Sequence, residues 1–217
     1  MAYIEIKSLS KTIKGKTILK NVNLSLEKGR IYGLVGENGS GKTMLMRTLL
    51  GLITPSEGSI EIGGAVLRPG KPLPCDVGVM IENNSLWPEL SAFENLKILS
   101  KIRKKVGNEE IKKTISRVGL DPESKKPFSK FSLGMKQRLV LAQAIMEKPD
   151  ILILDEPTNS LDDDGVELLK KIVAEEKARG CLILLSSHSP ELFGGIWDEV
   201  IKVKSGVFTK AKEESEE

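Results

Sequence analysis

The 217-residue chain is 40% hydrophobic and 29% charged, which supports a packed core rather than a disordered or fibrous polymer. Its 33 Lys and Arg against 30 Asp and Glu leave a net charge of +3, too small a surplus to argue for nucleic-acid binding by itself. Two cysteines and a single histidine, His188, exclude a disulfide framework, a Cys-rich zinc module and a multi-histidine metal centre.

At about 150 residues per domain, the length fits one large domain with an embellishment. No apolar run approaches the ~20 residues of a spanning helix. The segment Met1 to Lys7 lacks the basic and apolar regions of a signal peptide. No lipidation signal follows the acidic stretch Lys212 to Glu217. The expectation is a cytoplasmic protein that would need another polypeptide to span a membrane.

In chain order, residues 3–7 and 22–27 alternate apolar and polar, as half-buried antiparallel strands do. Ile31 to Val35 is continuously apolar, the pattern of a parallel strand covered on both faces. A helix is predicted over Lys42 to Leu50, and Ser59 to Ile62 reads as a third alternating strand. Val77 to Ile81 is a less pure buried strand. Ser91-Ala-Phe-Glu94 is a capping box, opening a helix through Leu96, Leu99 and Ile102 into the basic stretch Lys101 to Lys105. A second helix is predicted over Glu109 to Val118, stopping at Gly119. A third starts near Ser132 and ends before Pro149. Ile151 to Leu154 and Cys181 to Leu185 complete the buried strands. Strands alternating with helices predict an α/β fold with a mostly parallel sheet and an antiparallel β subdomain. Residues 1–82 and 149–217 form the core in this reading, and residues 83–148 an inserted α-helical subdomain.

Gly36-Glu37-Asn38-Gly39-Ser40-Gly41-Lys42-Thr43 fits the spacing G-x-x-x-x-G-K-[ST] of a phosphate-binding loop. Glycines at 36, 39 and 41 permit the dihedrals and close approach that curling backbone amides around phosphate oxygens requires. The helix behind presents unpaired N–H groups to the anion. Lys42 supplies a point charge to the β- and γ-phosphates and Thr43 a hydroxyl to Mg²⁺. The candidate cofactor-binding set runs from Gly36 through Thr43 to the next position, Met44. Alone, the motif points only to a nucleoside triphosphate.

Asp155 and Glu156 end a buried strand, at the sheet edge where open α/β sheets bind ligands. Beside a phosphate loop, Asp155 would orient Mg²⁺ through bound water, and Glu156 would accept a proton from the attacking water.

Phe131-Ser132-Leu133-Gly134-Met135-Lys136-Gln137-Arg138 resembles the signature motif of ATP-binding cassette (ABC) ATPases, with Leu133 replacing a glycine and Met135 a glutamine. Ser132 also reads as an N-cap, which makes the helix behind it a second anion site. Pro157 to Asp162 is similar to the family's D-loop, and Leu185-Ser-Ser-His188 to its switch-histidine loop. Glu82 stands where the family usually has glutamine, and residues 82–96 resemble the bacitracin and lantibiotic exporter branch. Ile13 stands in the slot of the family's adenine-stacking aromatic, which leaves ATP preference over GTP less secure than triphosphate binding.

The resemblance implies a P-loop NTPase core, ATP and Mg²⁺ as cofactors, and an ATPase subunit driving export of drugs or antimicrobial peptides. Its site residues are Lys42, Glu82, Glu156 and His188 as the catalytic group. Ser132 and Gly134 act on the γ-phosphate held by a partner chain, either an identical copy or a sister ATPase. The partner in the membrane is a permease in a separate chain, which places the protein at the inner face of the cell membrane. That permease docks at the loop after Glu82, with exposed Leu86 and Trp87 as candidate contacts and core packing as the alternative for Trp87. No direct nucleic-acid partner is expected. The competing reading is a non-transport ABC ATPase acting on nucleic acid or ribosomes. The compact insert without heptads and the single cassette argue against that class. A purely regulatory nucleotide-binding module would be expected to lack Glu156 and His188.

Overall fold

The computed structural model describes residues 2–81 and 86–211. The chain opens with a long hairpin, β1 (Ile4–Ile13) and β2 (Lys16–Leu26), followed by β3 (Ile31–Val35) and α1 (Lys42–Leu49). A second hairpin, β4 (Glu57–Ile62) and β5 (Ala65–Val66), precedes β6 (Val77–Met80). Three helices come next: α2 (Ala92–Arg103), α3 (Asn108–Arg117) and α4 (Leu133–Ile145). The chain then alternates β7 (Ile151–Asp155), α5 (Asp163–Ala178) and β8 (Leu182–Ser187), and closes with β9 (Glu199–Lys204) and β10 (Val207–Lys210).

Two sheets result. The first is antiparallel, in the order β2-β1-β4-β5. The second, β10-β9-β3-β8-β7-β6, is parallel except for the edge strand β10. The alternation of side chains along the parallel strands divides the core in two. Ile151, Ile153, Leu182 and Leu184 face the antiparallel sheet and α1, packing with Ile4, Ile60 and Leu45. Leu152, Leu154, Ile183 and Leu185 face the other way, against α2 to α5 through Leu96, Ile115, Leu139 and Leu169. Both faces are therefore dry, which is why these strands read as unbroken apolar runs.

β1 continues past Lys7 to Ile13 and β2 starts already at Lys16, longer than the alternation suggested. β9 and β10 have no counterpart in the sequence reading. The hairpins β1–β2, β4–β5 and β9–β10 share one turn: Lys14-Gly15, Gly63-Gly64 and Ser205-Gly206 each have positive φ at both central residues. That is the primed geometry whose twist matches the flanking strands.

The Ser91 capping box forms in full, its hydroxyl accepting from the Glu94 N–H and the Glu94 carboxylate accepting from the Ser91 N–H at 2.9 Å. Buried Asn95, one residue on, ties down the entry to α2. Its amide nitrogen donates to the Trp87, Leu90 and Ser91 carbonyls, and its oxygen accepts from the Trp87 N–H at 2.8 Å. Leu86 corrects an expectation: it is 7% exposed and packs in the helical core, because apolar surface beside α2 draws it inward. Trp87 is the exposed member of the pair, at 43%.

Candidate functional site

β3 delivers the glycine-rich loop to the C-terminal edge of the parallel sheet. Gly36 is a steric necessity, since a Cβ there would lie 2.1 Å from the Val203 carbonyl oxygen of neighbouring β9. Gly41, at φ 118°, is the N-cap of α1, a conformation that L side chains rarely adopt. The first-turn N–H groups of α1 consequently face forward without helical carbonyls to bond.

The loop bounds a cleft of about 400 Å³. Asn38, Gly39, Gly41, Lys42, Thr43 and Met44 line it from the loop side, and Asp155 and Glu156 from the end of β7. Gly36, Glu37 and Ser40 are not part of that lining. The Lys42 ammonium donates to the Gly36 carbonyl at 2.5 Å and the Glu37 carbonyl at 3.1 Å. Its nitrogen lies 3.4 Å from Glu156 Oε1. The Ser40 hydroxyl is buried and makes no hydrogen bond among the described residues. Ile18 is the aliphatic residue on the cleft wall; Ile13, at the end of β1, is 40% exposed and outside the lining.

Asp155 and Glu156 are 4% and 7% exposed, and buried carboxylates require partners. The Thr43 hydroxyl donates to Asp155 Oδ2 at 2.6 Å, bringing a hydroxyl and a carboxylate together as two hard oxygen donors. Such donors suit Mg²⁺, which binds few protein oxygens alongside phosphate and water. Glu156 has a φ of 48°, a left-handed conformation costing on the order of 1–3 kcal/mol for a non-glycine residue. This turn carries its side chain back toward His188. His188 Nδ1 lies 2.8 Å from Glu156 Oε2, and the His188 backbone N–H donates to the same oxygen at 3.3 Å. Glu156 Oε1 accepts no hydrogen bond among the described residues. A buried carboxylate oxygen of this kind, with the Lys42 ammonium 3.4 Å away, fits a site built for a polyphosphate and a water.

Ser186 was overlooked in the sequence reading. Its fully buried hydroxyl donates to Asp155 Oδ1 at 2.5 Å and accepts from the Glu156 N–H at 2.9 Å, linking the two acids from the next strand. The available signal was its position: β8 runs parallel to β7, and Ser186 pairs with Asp155 in register.

The structure thus brings Lys42, Thr43, Asp155 and Glu156 to one cleft, with His188 joined to it through Glu156. Glu82 lies outside the described residues. Ser132 and Gly134 are not part of the cleft lining. Ser132 caps α4, accepting from the Met135 N–H at 3.2 Å, and neighbouring Leu133 is 68% exposed. A Cβ on Gly134 would lie 3.2 Å from the Ser160 carbonyl, and Arg138 pairs with Asp162 at 3.3 Å. The capped end of α4 therefore sits against the 157–162 loop, outside the lining of the cleft.

The sequence pattern of the ABC transporter family matches residues 19–159. The chain belongs to that family. Among curated relatives, this ABC ATPase is 52% identical to the uncharacterized ABC transporter ATP-binding protein YybJ of Bacillus subtilis, over 94% of this chain and 93% of the relative. It is 40% identical to the bacitracin transport ATP-binding protein BcrA of Enterococcus faecalis, over 85% of this chain and 61% of the relative. Identity to the lantibiotic transport ATP-binding protein SrtF of Streptococcus pyogenes is 39%, over 85% and 80%. The likeness read from residues 82–96 agrees with the last two. The dimeric structure of MJ0796, a bacterial ABC transporter cassette, superposes with a TM-score of 0.80 at 25% identity, covering 94% of this chain and 95% of that one. The ABC ATPase is thus an ATP-binding and ATP-hydrolysing cassette with the expected mostly parallel α/β core.

Proposed function

We propose that this ABC ATPase drives export of an antimicrobial peptide or drug through a permease in a separate chain. It would do so by closing head-to-tail on a second cassette, an identical copy or a sister. The observation that carries this reading is the division of labour within one chain: Lys42, Thr43, Asp155 and Glu156 line one cleft, with His188 bound to Glu156, whereas Ser132 and Gly134 lie outside that lining. A second chain would supply its own Ser132 end to complete the anion site.

In this reading, residues 83–148 are a helical subdomain set into the core formed by 1–82 and 149–217. Lys42 exchanges its loop carbonyls for the β- and γ-phosphates, and the first-turn N–H groups of α1 hold the same anion. Thr43 and Asp155, with Glu82, would hold Mg²⁺. Mg²⁺, when bound, neutralises charge developing on the transferred phosphoryl group. Glu156 Oε1 is the acceptor for the water's proton. His188 holds the other carboxylate oxygen, so that Glu156 points into the cleft. Dimer closure does mechanical work because ATP makes contacts that only the closed state offers. Trp87, exposed beside the 82–85 segment, is the candidate contact for the permease. Among the described residues no helix is long and apolar enough to cross a membrane, so attachment would run through that partner.

Glu156→Gln tests the catalytic assignment. It keeps the shape and removes the base, so ATP binding should persist while turnover falls to background. Turnover within a few-fold of the parent would overturn the assignment.

A further inference from the structure

The charge on this chain is unevenly distributed. Residues 86–148 hold 14 of the 33 Lys and Arg but only 7 of the 30 Asp and Glu. The remainder holds 19 against 23. A near-neutral total thus conceals a strongly basic helical segment, balanced mainly by the acidic 212–217 stretch.

The surplus has a definite place on α2. At 3.6 residues per turn, Lys97 and Lys101 form one row and Ile98 and Ile102 the row beside it. Lys104 follows directly as the C-cap in a left-handed conformation. Ile98 is 37% exposed and Ile102 76%, so the apolar row faces outward. Lys101 and Lys104 have no ion-pair partner among the described residues, and Lys97 has only the Phe93 ring, 5.4 Å away. Arg103 and Lys105 are used differently, both bound to Asp76 at the start of β6. The nearby carboxylates are engaged: Glu94 in the Ser91 capping box, and Asp76 and Glu147, which line a groove with Ile102, by Arg103.

We infer that this outer face of α2 is a docking surface for the anionic headgroups of a lipid bilayer. The lysines match the surface charge of acidic phospholipids, and their long stems leave room for Ile98 and Ile102 to reach the acyl boundary. Two other partners fit less well. Protein interfaces are depleted of lysine at their cores, whereas here lysine is the dominant exposed residue. Single-stranded nucleic acid requires open aromatic faces for base stacking. The Phe93 ring is instead covered by the Lys97 and Lys112 ammoniums, the latter at 5.9 Å. The free cations are all lysines, which lack the planar fork that reads bases. The surface would orient the helical segment against the membrane whichever cargo is carried.

The test is co-sedimentation of the full-length chain with vesicles of phosphatidylcholine alone and of phosphatidylcholine mixed with phosphatidylglycerol. The chain should partition onto the mixed vesicles at about 0.15 M salt and leave them at about 1 M, where screening is nearly complete. Each surface lysine removed should lower partitioning about fivefold, so Lys97→Glu/Lys101→Glu/Lys104→Glu should lower it at least about a hundredfold. Ile98→Ser/Ile102→Ser should weaken binding while keeping the salt dependence. ATPase activity in detergent-free solution should be unchanged in both. Equal binding to neutral vesicles, or none to acidic ones, would overturn the inference. So would an equal loss from reversing Lys7, Lys171 and Lys202, which lie elsewhere, or stronger capture of a single-stranded oligonucleotide than of acidic vesicles.

Discussion

Ser186→Ala removes one buried hydroxyl and leaves two groups short of a partner. Asp155 loses the donor at 2.5 Å, and the Glu156 N–H loses its acceptor at 2.9 Å. A hydrogen bond to a charged group is worth about 1.5–3 kcal/mol, and an unpaired buried donor costs about 1–3 kcal/mol. The combined loss is about 3–5 kcal/mol. For a chain of this size each kcal/mol lowers the melting temperature by about 2–4 °C, so a fall of roughly 10 °C is expected. The second consequence is kinetic. Glu156 is held at a φ of 48°, and the Ser186 bond is one of the contacts that maintain it. Released, the carboxylate drifts from His188 and from the water position, and kcat should drop by about 10- to 100-fold, a part of the ~100- to 10,000-fold that a positioned base contributes. The Ser186 hydroxyl reaches the phosphate loop only through Asp155 and Thr43, so ATP affinity should change less than kcat. Ser186→Thr, which keeps the hydroxyl, should recover most of kcat. Differential scanning fluorimetry and steady-state ATPase kinetics read both effects. A melting temperature lowered as expected with kcat unchanged would show Ser186 to be only a packing residue and refute the argument.

Gly36→Ala drives a Cβ to within 2.1 Å of the Val203 carbonyl, a backbone atom fixed in β9, so the loop must move. Titration with a fluorescent ATP analogue should show affinity lost by at least about tenfold; wild-type affinity would mean that the loop yields at no cost. Acid should weaken the junction between β6 and α2. The Lys105 hydrogen bond, with Arg103, outweighs burial and holds the Asp76 carboxyl below its ordinary value, while Lys28 and the Asp76 N–H do the same for Asp150. A depressed folded value gives stability that is complete above the unfolded value of 3.8 and lost as pH falls through the folded one. Melting curves between neutral pH and about pH 3 should therefore fall on the acid side, and Asp76→Asn should flatten that limb; an unchanged limb would contradict the pairing.

How far the sequence reached depended on which physical signal each part carried. The buried strands announced themselves because both faces of the parallel sheet are covered, as the alternate partners of Ile151 and Leu152 show. Two helix starts were equally legible, since Ser91 and Ser132 cap with their own side chains. The far half of β1 was not. Ser8, Ser10, Lys11 and Thr12 are polar, Ser8 sits at positive φ, and register shifts break the alternation that the eye follows. β9 and β10 were missed although Ser205-Gly206 between two alternating runs is a hairpin signal. Leu86 and Trp87 were beyond reach for another reason. Which of two adjacent apolar residues turns inward depends on the backbone that Asn95 fixes, a contact eight residues away. At the site, the loop and the acids had local motifs. Ser186 acts only through cross-strand register, which one sequence does not print.

The central claim is that each ATP is completed by two chains, and it is tested most directly by mixing two crippled variants. Lys42→Ala disables a chain's own phosphate loop, and Ser132→Arg disables the end of α4 that it would lend. Each alone should be inactive. Mixed, the hybrid dimer contains one site built from the sound loop of one chain and the sound Ser132 of the other. ATPase activity should therefore return when the two are combined and increase with the fraction of hybrid dimers. If the mixture stays as inactive as its components at concentrations where the wild type turns over, the chain completes its site alone and the shared-site account is wrong.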